Sequence, residues 1–229
     1  MINQIINTLS SNSPCQFELV EQDAEQFSFY RSMSSNYHRF LAVVKISKLM
    51  KPNELNHWVL ANTPSVLREQ PTFAKNTDVV VLFELDRLAD VIDYESEIFA
   101  LEEDSYSFKK HVLYYSLAEL ALLNEIDTRD FADLIKDQSK FNSYKKSPMV
   151  ESEYGIVSRI YIKLPFLSVP VDESELDDPC QLADDYLEKV GLLSISSEFE
   201  MLITSSGNNY KAIVEEFIRG KMANSQAED

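Results

Sequence analysis

The side chains that most often bind phosphate groups or metal ions are few in this sequence and lie far apart. Phosphate-binding loops need closely spaced glycines, because backbone N–H groups must approach the anion. The four glycines are isolated from one another: Gly155, Gly191, Gly207 and Gly220. Zinc sites need clustered Cys and His, whereas these residues are dispersed: Cys15, His38, His57, His111 and Cys180. The sequence therefore predicts neither P-loop or Rossmann-type nucleotide binding nor a zinc site.

Patterns typical of a hydrolase or a nuclease are also missing from the sequence. It contains no G-x-S-x-G elbow, and Cys15 lies in a polar context near the N-terminus. No Asp or Glu stands two positions before a lysine, the spacing of the commonest restriction-type nucleases. Asp78, Glu84 and Asp86 offer oxygen ligands for Mg²⁺, but such neighbours arise by chance among 38 acidic residues. We therefore expect no catalytic residue, no metal site and no cofactor, and a protein that is not an enzyme.

The amino-acid composition indicates which kinds of partner the chain can bind and in which cellular compartment it functions. The chain has 38 acidic and 21 basic side chains, a net charge of −17, so phosphate backbones and anionic membranes would repel it. Two distant cysteines do not form the dense set of a secreted disulfide scaffold. The first residues lack the basic and apolar pattern of a leader, and no apolar run approaches the ~18 residues of a membrane span. We expect a cytoplasmic protein that by itself binds neither nucleic acid nor membranes.

Apolar patterns predict an α+β protein whose residues 1–147 form a mixed α/β domain. The runs at 40–46 and 79–85 are β-branched and continuously apolar, as in strands buried within a sheet. A helix-like stretch after Pro52 separates them, so a β-α-β connection is predicted. Further strands are predicted at 15–20 and 108–115, and further helices at 2–9, 85–99, 117–126 and 131–135. The domain boundary is placed near Ser147-Pro148.

Residues 148–229 are predicted to form a second domain. Its predicted elements are an amphipathic helix from Val150 to Leu164, an acidic loop at 172–185, a helix at 182–190, a strand at Phe199–Ile203, a final helix at 210–218 and a polar, frayed tail. The Gly191-Leu192-Leu193 segment after a helix and the Thr204-x-x-Gly207 turn before another resemble the second half of a winged-helix domain. The resemblance implies a winged-helix-like C-terminal module.

Winged helices often bind DNA through the helix ahead of the wing, but the acidity of this segment argues against that use. The corresponding helix begins Ala183-Asp184-Asp185, and carboxylates there would repel phosphate groups. We therefore expect this module to dock onto protein, with Asp184 and Asp185 as candidate partner-binding residues.

A second candidate partner-binding segment combines acidic, aromatic and basic residues. Its members are Glu102, Glu103, Asp104, Tyr106, Lys109 and Lys110. The alternative interpretation is a solvated loop before an edge strand. The main concentration of basic residues consists of Lys136, Lys140, Lys145 and Lys146. These lysines could meet nucleic acid or an acidic partner, or form a solvated helix end.

The middle of the chain resembles a known class of defence proteins. Residues 99–115 read FALEEDSYSFKKHVLYY. This segment is similar to the small middle or accessory subunits of bacterial ABC three-component and Lamassu-type defence systems. In those systems an SMC-like or ABC ATPase senses foreign DNA, a nuclease effector acts, and a small subunit links them. The resemblance implies no catalytic residue in this chain.

Two functions from different classes follow as hypotheses. The first is a non-catalytic adaptor that binds an SMC-like ATPase, with a nuclease effector as a further candidate partner, in defence against phage or plasmid DNA. The second is an acidic immunity or anti-nuclease protein that neutralises a basic toxin by mimicking the charge of nucleic acid. An enzyme with an atypical site ranks last, because no nucleophile–base pair is visible.

Overall fold

A computed structural model describes residues 1–23, 26–34, 38–170, 178–206, 211, 214–215 and 217–219 of the chain. The chain divides into two compact units, Met1–Val171 and Asp172–Asp229.

The first unit is built on a five-stranded mixed sheet in the order β1-β2-β3-β4-β5. The strands are β1 (Phe17–Asp23), β2 (Phe27–Ser32), β3 (Phe40–Ile46), β4 (Thr77–Leu85) and β5 (Lys109–Ser116). The pairs β1–β2 and β2–β3 are antiparallel, whereas β3–β4 and β4–β5 are parallel. The mixed α/β class is confirmed, and so is the predicted β-α-β connection. The strand β2 was not predicted.

Helices cover both faces of this sheet. They are α1 (Ile2–Ser11), α2 (Pro52–Asn62), α3 (Ser65–Arg68), α4 (Phe73–Asn76), α5 (Glu95–Glu102), α6 (Leu117–Leu123), α7 (Phe131–Lys136), α8 (Gln138–Lys146) and α9 (Glu153–Lys163). Two short 3₁₀ helices span Leu88–Tyr94 and Thr128–Asp130. The sequence predicts one helix over 85–99, where the structure has a 3₁₀ helix followed by α5.

Alternation along the strands creates two hydrophobic cores. Leu41 and Val43 of β3 face a core formed with α1, α6, α7 and α9, while Ala42 and Val44 face a core formed with α2 to α5. Since successive side chains of a strand point to opposite faces, a strand covered on both sides must be apolar at nearly every position. This requirement explains the continuous apolar runs of β3 and β4.

The first unit extends beyond the boundary that the sequence suggested near Ser147-Pro148. Helix α9 follows that point, yet its residues Ile156, Val157 and Ile160 are fully buried in the core shared with α1, α6 and α7. Burying these three side chains outweighs the local break at the proline. The compact unit therefore continues to Val171.

The described part of the second unit is helical. It contains α10 (Pro179–Lys189) and α11 (Leu193–Ser206), and Gly191 between them has a positive φ of 71°, a conformation that suits glycine. The predicted strand at Phe199–Ile203 is wrong, because these residues belong to α11. A winged-helix module is not confirmed. Most of the acidic loop, Tyr210 and Ile213 of the final helix, and the tail lie outside the described residues.

Candidate partner-binding site

The segment between α5 and β5, residues 103–108, is held by a buried lysine. We call it the α5–β5 loop. The side chain of Lys110 is fully buried, and its Nζ donates to the carboxylate of Asp104 at 2.6 Å. The same ammonium lies 2.8 Å from the carbonyl oxygen of Tyr106 and 3.0 Å from that of Phe108. A buried ammonium is tolerated only when its protons find acceptors. Lys110 therefore determines the path of the loop.

A second polar side chain, from α2, holds the same loop. Asn56 of α2 donates from Nδ2 to the carboxylate of Asp104 at 3.4 Å and to the carbonyl oxygen of Tyr106 at 3.5 Å. Ser107 has a positive φ of 66°, which turns the chain back toward β5. The Lys110 ammonium also holds the pKa of the Asp104 carboxyl below its usual range. The loop is thus held by side chains from two other elements, α2 and β5.

The exposed side of this loop presents an aromatic ring. The side chain of Tyr106 is 74% exposed, although its own backbone carbonyl accepts hydrogen bonds from Lys110 and Asn56. An aromatic residue on a fixed backbone loses little conformational entropy when it binds, which is why tyrosine is frequent in the centres of interfaces. This arrangement suits a binding site for another protein.

Glu102 protects the outer edge of β5 instead of facing a partner. Its carboxylate accepts from the backbone N–H of Val112 at 2.8 Å and from Nζ of Lys163 at 2.6 Å. An uncovered edge strand would offer such N–H groups to other chains. Glu102 therefore ties α5, β5 and α9 together.

The structure separates the candidate residues into two groups. Glu102, Asp104 and Lys110 make the internal contacts described above, so these three shape the loop. The exposed members are Glu103, Tyr106 and Lys109. Asp184 and Asp185 are exposed on α10 in the second unit. Contact of any of these residues with a partner stays a prediction.

The three carboxylates that the sequence offered for Mg²⁺ lie at the two ends of β4, with Asp78 at one end and Glu84 and Asp86 at the other. Asp78 lies near its first residue and forms an ion pair with Arg39, whereas Glu84 lies near its last residue and pairs with Lys45 at 3.2 Å. Six residues of extended chain separate Asp78 from Glu84 by about 20 Å, so these two carboxylates cannot bind one ion. Within the described residues, no group of three or more His, Cys, Asp and Glu side chains has the arrangement of a metal site.

Asp78 belongs to a charged cluster that the sequence analysis did not find. Its carboxylate is buried between Arg39 of the neighbouring segment and His111 of β5, whose Nε2 lies 3.7 Å away. Burial alone would raise the pKa of Asp78, but His111 and Arg39 outweigh it and lower that pKa. The cluster joins residues far apart in sequence, because Arg39 directly precedes β3, and β3, β4 and β5 are neighbours in the sheet. No spacing along the chain could have indicated it.

The lowered pKa of Asp78 predicts a loss of stability in acid. A folded-state pKa below the unfolded one stabilises the protein fully above the unfolded pKa, and this contribution disappears as the pH falls through the folded pKa. We expect Asp78→Asn to lower the free energy of unfolding by about 2 kcal/mol at pH 7 and by much less near pH 2. Urea unfolding of both proteins between pH 2 and pH 7 measures this change in the free energy of unfolding. The exposed Asp86→Asn is the control, and equal effects at both pH values would contradict the assignment.

The comparison with protein families supports the resemblance seen in the sequence. Residues 39–141 match the family model of the ABC-three component (ABC-3C) system Middle Component 1. The match spans β3, β4, β5 and the α5–β5 loop, and it fits a middle subunit of an ABC-three component defence system. The family implies a role in a multi-subunit defence system, with partners among its components.

No curated protein and no solved structure matches the chain. In the part of the chain that the structure describes, no helix is both long and apolar enough to cross a membrane.

Proposed function

We propose that this chain is a non-catalytic adaptor subunit that binds the SMC-like ATPase of its defence system in the cytoplasm, with a nuclease effector as a second partner. The observation that carries the proposal is that Tyr106, an exposed ring on a firmly anchored loop, lies within the segment that matches the middle-component family. In this proposal Lys110 positions the loop, and Tyr106 contacts the partner.

The proposed mechanism is conformational. The adaptor would hold the effector inactive, or pass on the movement of the ATPase, through contacts at the α5–β5 loop. The second unit, with Asp184 and Asp185 exposed on α10, would dock onto protein through its acidic surface. With a net charge of −17, the chain would meet basic surfaces of its partners. Salt screens such contacts between exposed charges, so assembly should weaken as the ionic strength rises.

The Tyr106→Ala variant tests the loop as the contact site. A central aromatic residue of an interface contributes about 2 kcal/mol or more, so we expect about thirtyfold weaker binding to the ATPase component. The Tyr106 ring is largely exposed in the free protein, so its removal should change the free energy of unfolding by less than about 0.5 kcal/mol. Co-expression with the other components, followed by titration of the purified proteins, measures both quantities.

The control for this variant is Leu19→Ala, on the strand at the opposite edge of the sheet. Leu19 is also exposed, at 42%, but β1 and β5 are the two ends of the strand order. Binding should survive this change. If Tyr106→Ala binds the ATPase component as tightly as Leu19→Ala does, the α5–β5 loop is not the contact site.

The high net negative charge favours one other candidate function, an acidic immunity or anti-nuclease protein. Such a protein would form a stable binary complex with one small basic toxin and would need no ATPase. Its complex would also weaken as the ionic strength rises. The salt dependence therefore does not distinguish the two functions, whereas the identity of the bound protein does.

A further inference from the structure

Helix α10 of the second unit is amphipathic, and part of its apolar side is open to solvent. Leu182, Tyr186 and Val190 follow one another at intervals of four residues, so they form one stripe along the helix. They are 52%, 65% and 44% exposed, respectively. We call these three residues the α10 stripe. Such a stripe on a helix is typical of a segment that binds in a groove of another protein.

The second unit holds α10 in place without using the stripe. Leu187 is the only residue of α10 that is not exposed, and the helix contacts α11. At the start of the helix, the carboxylate of Asp178 accepts from the backbone N–H of Cys180 at 2.9 Å. Just after its end, the N–H of Leu192 donates to the carbonyl oxygen of Leu187 at 2.8 Å. The helix is therefore formed before it binds a partner, which lowers the entropy cost of binding.

The charge around the stripe indicates the kind of partner. Residues 172–190 contain eight acidic side chains and one basic side chain, that of Lys189. Asp184, Asp185 and Glu188 lie on α10 itself and are exposed, and none of them forms an ion pair within the described residues. An acidic helix with an apolar stripe fits an apolar groove that has lysine or arginine side chains on its rim.

Three other occupants fit this charge less well. A second copy of the chain would bring two acidic helices together, each from a protein with a net charge of −17. Helices that lie on anionic membranes carry mainly lysine and arginine on their polar side, whereas α10 carries mainly carboxylates there. Nucleic acid would be repelled by the same carboxylates. The charge therefore favours a basic protein surface.

We propose that α10 is a docking helix whose stripe enters an apolar groove with a basic rim on the effector, the second partner of the adaptor. The inference rests on the proposed function, which assigns the ATPase to the α5–β5 loop and leaves the effector to another surface. Tyr186 is the central contact, because Leu182 and Val190 lie one turn to either side of it. The basic rim meets the carboxylates of α10.

Titration of the immobilised full-length chain with the purified effector component encoded beside it tests the proposal. We expect Tyr186→Gln to weaken effector binding about thirtyfold, because the variant lacks the central aromatic residue of the interface. Glutamine is a good helix former, so α10 should remain intact. The double change Asp184→Lys and Asp185→Lys should weaken binding about tenfold or more by reversing the local charge. Added salt should weaken binding of the wild type.

Matched controls make the same kinds of change elsewhere. Met201→Gln replaces an apolar residue of α11 that is 74% exposed. The double change Glu21→Lys and Glu69→Lys reverses two charges at exposed positions of the first unit. Both controls should bind the effector like the wild type. The unfolding temperature of Tyr186→Gln should lie within about 2 °C of the wild-type value, because the ring is exposed.

The outcomes separate this inference from the proposed function. If the effector does not bind, or if it binds Tyr186→Gln and the controls alike, the docking-helix proposal is overturned. A much larger fall in the unfolding temperature would mean that the chain itself covers the stripe, and self-association that Tyr186→Gln abolishes would mean that a second copy does. Either result also overturns the proposal. The ATPase component should bind Tyr186→Gln like the wild type, and its failure to bind the wild type would contradict the proposed function whatever the effector does.

Discussion

Replacing Glu119 by alanine is expected to lower the free energy of unfolding by about 4 kcal/mol. Glu119 of α6 is fully buried and forms an ion pair with Arg159 of α9, whose side chain is 7% exposed. The guanidinium also stacks over the ring of Tyr114 at 4.8 Å. Removing the carboxylate would leave a buried positive charge without its partner, and a lone buried charge costs far more than a missing surface pair.

Glu119 has a second role that adds to this effect. It caps its own helix, because its carboxylate accepts from the backbone N–H of Ser116 while the hydroxyl of Ser116 accepts from the N–H of Glu119. Alanine removes the first of these two hydrogen bonds and keeps the second, so this loss adds up to about 1 kcal/mol. Both effects act on the core between the sheet and α9, so the whole first unit should lose stability.

Urea unfolding measures the effect of the Glu119 change. The control is Glu125→Ala, an exposed carboxylate just after the same helix, which should change the free energy of unfolding by less than about 0.5 kcal/mol. The double change Glu119→Leu and Arg159→Met should recover part of the lost stability, because it leaves no unpaired charge. If the double variant is less stable than Glu119→Ala, the buried-charge explanation is wrong.

Replacing Lys110 by methionine is expected to lower the free energy of unfolding by about 3 kcal/mol. Methionine retains the length of the side chain but removes the ammonium, which leaves the carboxylate of Asp104 and the carbonyls of Tyr106 and Phe108 without their shared donor. The Asp104 side chain is 12% exposed, so water can replace part of what is lost. This keeps the expected effect below that of Glu119→Ala.

The Lys110 change should also disturb the proposed binding site. Without its anchor, the α5–β5 loop no longer holds the Tyr106 ring in one position, so binding to the ATPase component should weaken as it does in Tyr106→Ala. Hydrogen exchange at residues 103–108 should become faster. The neighbouring Lys109→Met is the matched control, because Lys109 is exposed. Equal exchange and equal stability in the two variants would contradict the role assigned to Lys110.

Sequence patterns predicted the centre of the sheet because its strands must be apolar on both faces. Residues 40–46 and 79–85 can hardly form any other element once helices cover both sides of the sheet. The run at 199–203 looked equally like a strand, but it lies in α11. A short apolar run alone does not separate a buried strand from part of a helix. This ambiguity led to the wrong strand prediction at Phe199–Ile203 in the winged-helix interpretation.

The candidate site was partly predictable. The charges and the tyrosine of residues 102–110 predict the segment, but they do not show that Lys109 and Lys110 have different roles. Because successive residues of a strand face opposite sides, one of two adjacent lysines in β5 had to point inward. That alternation is a signal in the sequence for the buried anchor. The contact of Asn56 with the loop depends on tertiary packing and leaves no such signal.

We propose above that this chain is an adaptor that binds the ATPase of its defence system. The most direct test is a low-salt pull-down of the tagged protein from its native cells, followed by native mass spectrometry of the intact complex. We expect a complex that contains this chain and a coiled-coil ATPase, with or without a nuclease, and a much smaller yield of it when Tyr106 is replaced by alanine. Recovery of this chain alone, or bound to one small basic protein, would contradict the adaptor function.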